Sequence, residues 1–595
     1  MRGKGVWRGG CFSWRRNFLD PMKRVFPLLA DRIRSALTGE VRFRRGAGLG
    51  SLAWFLVAFA VGVPVSVGAA VRLSPPFSNH MVLQREFAVP VWGDADPGEE
   101  VTVEFAGQRK TAVAGADGRW EVRLDAMAAS SEGRTLTVRG KNEVSIPDVL
   151  VGEVWLATGQ ANMNLGLVAA HNATEELSKA IDPLLRFLLV RKHVDSEPRR
   201  DGAGTWQLTT PESAKWFSAV GYFFAKALRE RLGCPVAVLH ASWGGSPAQT
   251  WMSLEALKGD PAFREHVVAY DRALARSREV RANTELVEGY ERKLKEWKEQ
   301  VEPIRKNEVN EWLASVYRGE KRPWPRELPG EPVNPDPFGT PPQSGRISVP
   351  SGLFNGMIAP LAPYGMRGVI CYQGESNGSQ GLEYRKLFPA LILDWRKHWG
   401  RELPFLYVQL AGWDFHPDSP EEKHSWPWLR EAQSMALSVP RTGMAVAVDV
   451  GDPKSVHPSN KEVVGQRLAL VARKVAYGEA ISCSGPVYSG IKAEAKALRV
   501  LFQETGQGLV IGKAPWCADG VEPLGTDRLV GFAIAGADRK WFRANAEIQG
   551  DTVLVSHPEV PEPVAVRYGW ANAPRCNLYN REGLPAGPFR SDEWR

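Results

Sequence analysis

Four short stretches of this chain put hydrogen-bonding or reactive groups where a strand gives way to a turn. The first is Ala157-Thr158-Gly159-Gln160-Ala161-Asn162-Met163-Asn164, an apolar strand running into a glycine turn and a polar helix start. A hydroxyl at such a turn projects from the end of a sheet beside a helix N-terminus, whose free N–H groups favour developing negative charge. Ala161 holds that position, keeping the turn and the backbone donor but offering no attacking oxygen. In Val238-Leu239-His240-Ala241-Ser242-Trp243-Gly244-Gly245-Ser246 a glycine pair follows a strand, where missing side chains let backbone N–H groups approach a ligand. Gly368-Val369-Ile370-Cys371-Tyr372-Gln373-Gly374-Glu375-Ser376-Asn377 sets an amide and a carboxylate at another strand end. Asp449-Val450-Gly451-Asp452-Pro453-Lys454-Ser455-Val456-His457-Pro458 supplies an imidazole on a loop before a long helix. Imidazole base, carboxylate and backbone donors are parts for acyl transfer.

The elements that must position these groups are legible as a change of pattern along the chain. From Asp148 to about Gly478, apolar strands at Val151 to Thr158, Val236 to His240, Gly368 to Tyr372, Leu403 to Gln409 and Met444 to Val448 alternate with helical stretches such as Ala219 to Leu232 and Lys461 to Ala476. This alternation predicts an α/β domain of three layers with a mostly parallel sheet, whose ligand sites lie at the carboxyl ends of strands. An insertion over 253–350 interrupts it. Residues 253–317, rich in Glu and Lys from Arg281 to Val316, predict a charged helical hairpin or pair, and the Pro- and Gly-rich Glu320 to Pro350 predicts an extended loop or lid.

Short alternating segments flank this domain on both sides. Residues 71–147 contain Phe87 to Gly93, Glu100 to Phe105, Trp120 to Leu124 and Thr135 to Val138; residues 483–595 contain Leu498 to Phe502, Leu529 to Ile534, Thr552 to Val555 and Val564 to Tyr568. Each set predicts a small β-sandwich, leaving 148–482 as the α/β domain.

The chain has 595 residues, long enough for several domains, and a formal net charge of +8. That charge resides in the leader: residues 1–48 hold twelve Lys or Arg against three Asp or Glu, so everything after them sums to −1. A near-neutral body gives no argument for nucleic acid. After the basic stretch, Leu49 to Val61 is apolar and ends toward the small residues Gly68-Ala69-Ala70, the order of a secretory signal within a leader of 1–70. Export to the periplasm or outside the cell is expected, with membrane attachment only if the leader stays uncleaved. Six cysteines form no CxxC pair, so no zinc or dithiol site is indicated. Cys234 and Cys371, set in apolar runs, are expected to be buried thiols.

In this order and spacing the four motifs resemble the sialate O-acetylesterase family of SGNH-type carbohydrate esterases. The likeness runs from about Val71 to Phe589 and includes Phe217-Ser218-Ala219-Val220-Gly221-Tyr222-Phe223, Val566-Arg567-Tyr568-Gly569-Trp570 and Asn577 to Pro585. It implies an SGNH-hydrolase-like fold, action on an O-acetylated sugar or polysaccharide, and no metal or organic cofactor. The family motif Gly-Gln-Ser-Asn-Met implies a nucleophilic serine where Ala161 stands, between Gln160 and Asn162. His457 is implied as general base and Glu375 as the carboxylate orienting it. The backbone N–H of Ala161, Gly244 or Gly245, and the Gln373 side chain are implied oxyanion donors. Members often carry Asp two residues before the histidine; Ser455 is there instead, with Asp452 or Asp449 as the available replacements.

Several readings stay open on the residues alone. Ala161 is either a small residue without chemistry or the mark of a nucleophile relocated to Thr158, Ser376 or Ser246. Glu375 either orients His457 or caps a neighbouring helix. Trp413 and the Trp426-Pro427-Trp428 loop are the better sugar-stacking candidates, although most tryptophans are core residues.

Overall fold

One 17-residue strand, Glu143–Gly159 (β1), belongs to two sheets at once, and its sequence shows why. Its first residues alternate between buried and exposed, whereas Val149 to Gly159 is buried throughout. The alternating part pairs antiparallel with Ser130–Arg139. The apolar part is flanked by parallel neighbours, an environment in which both faces of a strand are covered. The expected junction at residue 147 therefore falls inside a single strand.

The computed structural model describes residues 70–202, 204–317, 328–339, 347–413, 425–452, 454–513 and 527–594. The basic leader and its apolar run lie outside the described residues, as does part of the Pro-rich insertion. Around β1 stand Asp182–Val190 (β2), Gly204–Thr209 (β3), Val236–Ser242 (β4), Gly368–Tyr372 (β5), Phe405–Gln409 (β6) and Thr442–Val446 (β7), in the order β3-β2-β4-β1-β5-β6-β7. All these neighbours are parallel except β3, which closes one edge antiparallel to β2.

Helices cover both faces of this sheet. A short helix, Ala161–Asn164 (α1), follows β1 directly; the longer ones are Ala219–Leu232 (α2), Gly381–Trp399 (α3), Trp426–Met435 (α4) and Lys461–Val475 (α5). Alternate residues of β6 meet different helices, as the period of a strand requires. Phe405 and Tyr407 lie edge-on to Phe388 of α3 at centroid distances of 6.1 and 4.9 Å. Leu406, between them, turns toward the side where Gly443 leaves room for Val471 of α5. Ser218 caps α2 by accepting the Gly221 N–H, and Gly233 ends it in the left-handed conformation.

The fold is thus mixed α/β with several sheets. Before β1, the strands between Arg72 and Arg139 are antiparallel to one another. Among the described residues from Val487 on, two four-stranded sheets and one two-stranded pair are antiparallel throughout. The charged insertion forms three helices, Arg264–Ala282, Thr284–Gln300 and Glu302–Tyr317, rather than a hairpin or pair. Residues 328–339 contain no helix or strand. Cys234, Cys371, Cys483 and Cys576 are free thiols, and Cys234 and Cys371 are buried.

Where β1 leaves its first sheet, Glu153 is fully buried and doubly countered. Its carboxylate accepts Arg367 Nε at 2.8 Å and Nη2 at 2.7 Å, Arg85 Nε at 2.5 Å, and the Tyr477 hydroxyl at 3.0 Å. Burial alone would raise this carboxyl; Arg367 and Arg85 outweigh it and hold the group below the usual carboxylate range. Its stabilisation is therefore present above the unfolded pKa of about 4.3 and lost as pH falls through the lower folded value. Glu153→Ala leaves the Arg85 and Arg367 guanidiniums with only the half-exposed Glu86 carboxylate, at 3.5 and 2.7 Å, and should cost about 3–5 kcal/mol. Urea unfolding near neutral pH checks this, and an unchanged midpoint would contradict it.

Candidate functional site

The four strand-end motifs converge because β1 lies between β4 and β5. Gly159 has φ +129°, and any side chain there would run into the Tyr372 carbonyl of β5. The turn is fastened on both sides: Gln160 N–H donates to Tyr372 O at 3.1 Å, and Trp243 N–H, just past β4, donates to Gly159 O at 3.0 Å. Ala161 opens α1 immediately afterwards. A methyl built on Gly244 would lie 3.6 Å from the Ala161 Cβ, so the glycine backbone rests directly against the position that carries no hydroxyl.

On the β5 side, Glu375 is locked to the same turn. Gln160 donates its side-chain amide to Glu375 Oε2, and Asn162 Nδ2 donates to Oε1 at 2.5 Å. Asn162 also donates to Val456 O at 2.9 Å and accepts Lys461 Nζ at 2.5 Å, and Ser376 donates to Gln160 Oε1 at 2.5 Å. One network thereby joins β1, β5 and the loop that carries His457. Burial raises the Glu375 pKa despite the amide donors and the nearby Lys461 ammonium. Gln373 is a brace: its amide donates to Asn377 Oδ1 at 2.9 Å and to Ser246 O at 3.4 Å, while its oxygen accepts the Tyr384 hydroxyl. Both its N–H groups are engaged within the scaffold, so it is not a free oxyanion donor.

His457 stands exposed on its loop. Its backbone N–H donates to Ser455 Oγ at 3.1 Å, and among the described residues no group hydrogen-bonds to its ring. None of the expected carboxylates braces it. Glu375 is held by Gln160 and Asn162; Asp452 caps its own turn by accepting Lys454 N–H at 2.8 Å; Asp449 is buried against Arg467 at 2.6 and 2.7 Å and accepts the Tyr579 hydroxyl at 2.8 Å. Partial desolvation, with the Lys461 ammonium adding to it, pushes the imidazole below its ordinary pKa.

Two of the other hydroxyls near the turn are engaged elsewhere. Ser376 is bound to Gln160, and Ser246 donates to Trp243 O at 2.6 Å and accepts Trp251 Nε1 at 2.9 Å. Thr158 Oγ1 is buried without a partner. One Ser–His contact escaped the sequence reading: Ser242 Oγ lies 2.7 Å from His240 Nε2. Two residues apart on β4, they share a face, and that period was the available signal. Burial, with Lys192 adding to it, drives His240 down to about 3, which makes it a poor base for Ser242.

Trp426-Pro427-Trp428 begins a helix instead of forming a loop, with proline in the first turn where its missing N–H costs nothing. Trp426 is buried beside Trp413, at a centroid distance of 5.3 Å. Among the described residues no group of three or more His, Cys, Asp or Glu converges as a metal-binding set.

No protein-family model matches the chain. The sialate O-acetylesterase of Rattus norvegicus is 30% identical over 578 residues, spanning 88% of this chain and 95% of the rat protein. The chain belongs to the sialate O-acetylesterase family. The Homo sapiens sialate O-acetylesterase is 28% identical over 576 residues, with 88% and 93% covered. A crystal structure of a carbohydrate acetylesterase from Xanthomonas citri is 35% identical and superposes with a TM-score of 0.69, covering 88% of this chain and all of that one. The sialate O-acetylesterase family likeness thus spans both the antiparallel sheets and the central sheet that carries the motifs.

His457 should titrate below about 6.5 in an NMR pH series. Lys461→Met should move that midpoint upward by removing a like charge. A midpoint at or above the ordinary histidine value in the native protein would contradict this electrostatic picture.

Proposed function

We propose that this protein is an exported member of the family that seats an O-acetylated carbohydrate over the Ala161 turn and does not cleave it by an acyl-enzyme route. The observation that carries the reading is the Ala161 methyl set against Gly244, at the bend from which a nucleophilic oxygen would project. The donors for a carbonyl oxygen remain, because they are backbone N–H groups that the substitution leaves in place. In serine hydrolases loss of the nucleophile lowers kcat by about 10⁶, leaving only the acceleration due to oxyanion donors and binding. The basic, apolar and small-residue order of residues 1–70 supports export.

One observation favours a second reading. Among the described residues the His457 ring has no hydrogen-bond partner, and it is held toward its neutral form, so it is available to activate a water for acetylxylan-type ester hydrolysis without a covalent intermediate.

Protein recovered from the periplasm of an expressing host, with its first residue near Val71, would be assayed on p-nitrophenyl acetate, O-acetylated sialic acid and acetylated xylan. The native chain should match His457→Ala at background. Ala161→Ser should raise turnover by about 10²-fold, short of a complete triad because an imidazole without its orienting carboxylate forfeits about 10⁴. Native turnover abolished by His457→Ala would establish the water route instead.

A further inference from the structure

A cavity of about 610 Å³ opens in the C-terminal antiparallel sheets, a size suited to a small ligand. Its walls come from the segments 527–533, 543–546 and 567–575. Backbone contacts fix these walls against one another. Gly531 has φ +103°, and a side chain there would meet Cys576 Cβ at 2.7 Å, which sets the segment before Phe532 directly against the one that carries Arg575. Gly569 N–H donates to Gly531 O at 2.9 Å. Val530 N–H donates to Asn577 Oδ1 at 2.9 Å, and Asn577 Nδ2 donates to Arg528 O at 3.0 Å.

The charge on these walls is one-sided. Among the described lining residues, Arg528, Arg543, Arg567 and Arg575 stand with Asp527 as the one acid. Arg567 is matched by Asp592 through two bonds of 2.8 Å, and its guanidinium lies over the rings of Trp541 and Trp570 at 4.3 and 5.4 Å. The side chains of Arg528 and Arg575 make no hydrogen bond, ion pair or ring contact among the described residues. Like charges gathered at one concavity raise the local concentration of anions. Everything after residue 48 sums to −1, so this is a local feature and not part of the broad basic surface that nucleic acid requires. Trp570 is half-buried on the same wall, edge-on to Trp428 at a centroid distance of 5.4 Å.

We propose that this cavity is a second carbohydrate site, separate from the Ala161 turn, in which Arg528 and Arg575 pair with the oxyanion of a charged polysaccharide unit whose sugar ring lies against Trp570. Planar guanidiniums suit carboxylate and sulfate oxygens, and an indole suits the apolar face of a sugar. A uronate carboxylate and a sulfate ester share that chemistry. The site requires no acetyl group and stands whether or not the turn binds one. One segment joins its wall to the carboxyl edge of the central sheet: Arg430 donates to Ala571 O and Asn572 O, each at 2.7 Å, and Trp413 N–H, past the end of β6, donates to Asn572 O at 3.2 Å. A polymer anchored in the cavity is thereby held near that edge.

Calorimetric titration of the native chain with a galacturonate trimer, a sulfated dextran oligosaccharide, a neutral dextran oligosaccharide and a single-stranded oligonucleotide tests this. One anionic saccharide should bind at least about tenfold more tightly than the neutral one, the scale of one charge-assisted hydrogen bond, and whichever does so names the oxyanion. The Arg528→Gln and Arg575→Gln double variant should lose that preference with an unchanged urea midpoint, whereas the corresponding double lysine variant should keep most of it. Trp570→Ala should weaken the same saccharide about two- to tenfold. His457→Ala should bind it as the native chain does. Equal binding of neutral and anionic saccharides overturns the proposal, as does a preference that survives the double glutamine variant or disappears in His457→Ala. An oligonucleotide bound as tightly as the saccharide, or no effect of Trp570→Ala, overturns the assignment to a sugar.

Discussion

The arrangement depends on one close approach of backbone to backbone. At Gly159 the central strand ends against the Tyr372 carbonyl, in a space and at a φ that exclude any side chain. From that contact follow the direction of α1, the seat of Ala161 against Gly244, and the placement of Gln160 and Asn162 over Glu375. The hydrogen bonds from Trp243 and Gln160 then tie the turn to both neighbouring strands. A preorganised set of backbone donors requires this kind of rigidity, because its value lies in needing no rearrangement when charge appears.

The polar groups around the turn are organised for structure more than for proton transfer. Glu375, Gln160, Asn162, Ser376 and Lys461 form one connected network whose members satisfy each other, and Gln373, Asn377 and Tyr384 form another. Such networks fix geometry when complete. His457 stands outside both, facing solvent with no carboxylate on its ring. The Ser242–His240 pair has the residue types of a nucleophile and base, yet its imidazole is buried beside a lysine and resists taking up a proton. The scaffold around the turn is thus hydrogen-bonded, while Ala161 carries a methyl group and no described carboxylate bonds to the His457 ring.

Much of this was readable in the chain because apolar runs ending in glycine are strong signals. β1, β4, β5, β6 and β7 fall where the sequence places them, as do α2 and α5. The same sequence hid β2, where Arg186 interrupts the apolar run and becomes meaningful only when its guanidinium reaches Asp148 Oδ1 at 2.9 Å and the Asp148 carbonyl at 2.8 Å. It hid α3, whose period is broken by Pro389 inside the helix. It also made Trp426-Pro427-Trp428 resemble a loop, since proline marks both turns and first helical turns. The partners of Glu375, Asp449 and Gln373 come from elements far apart in the chain, and no local pattern could have assigned them.

The direct measurement of the central claim is whether this cleft holds any activated hydroxyl. Intact-mass spectrometry of the native chain after incubation with a fluorophosphonate reads that without regard to the sugar recognised. The account predicts an unmodified native protein and a single phosphonyl adduct at residue 161 in Ala161→Ser. A stoichiometric adduct on the native chain, at Ser242 or any other side chain of the cleft, would contradict it.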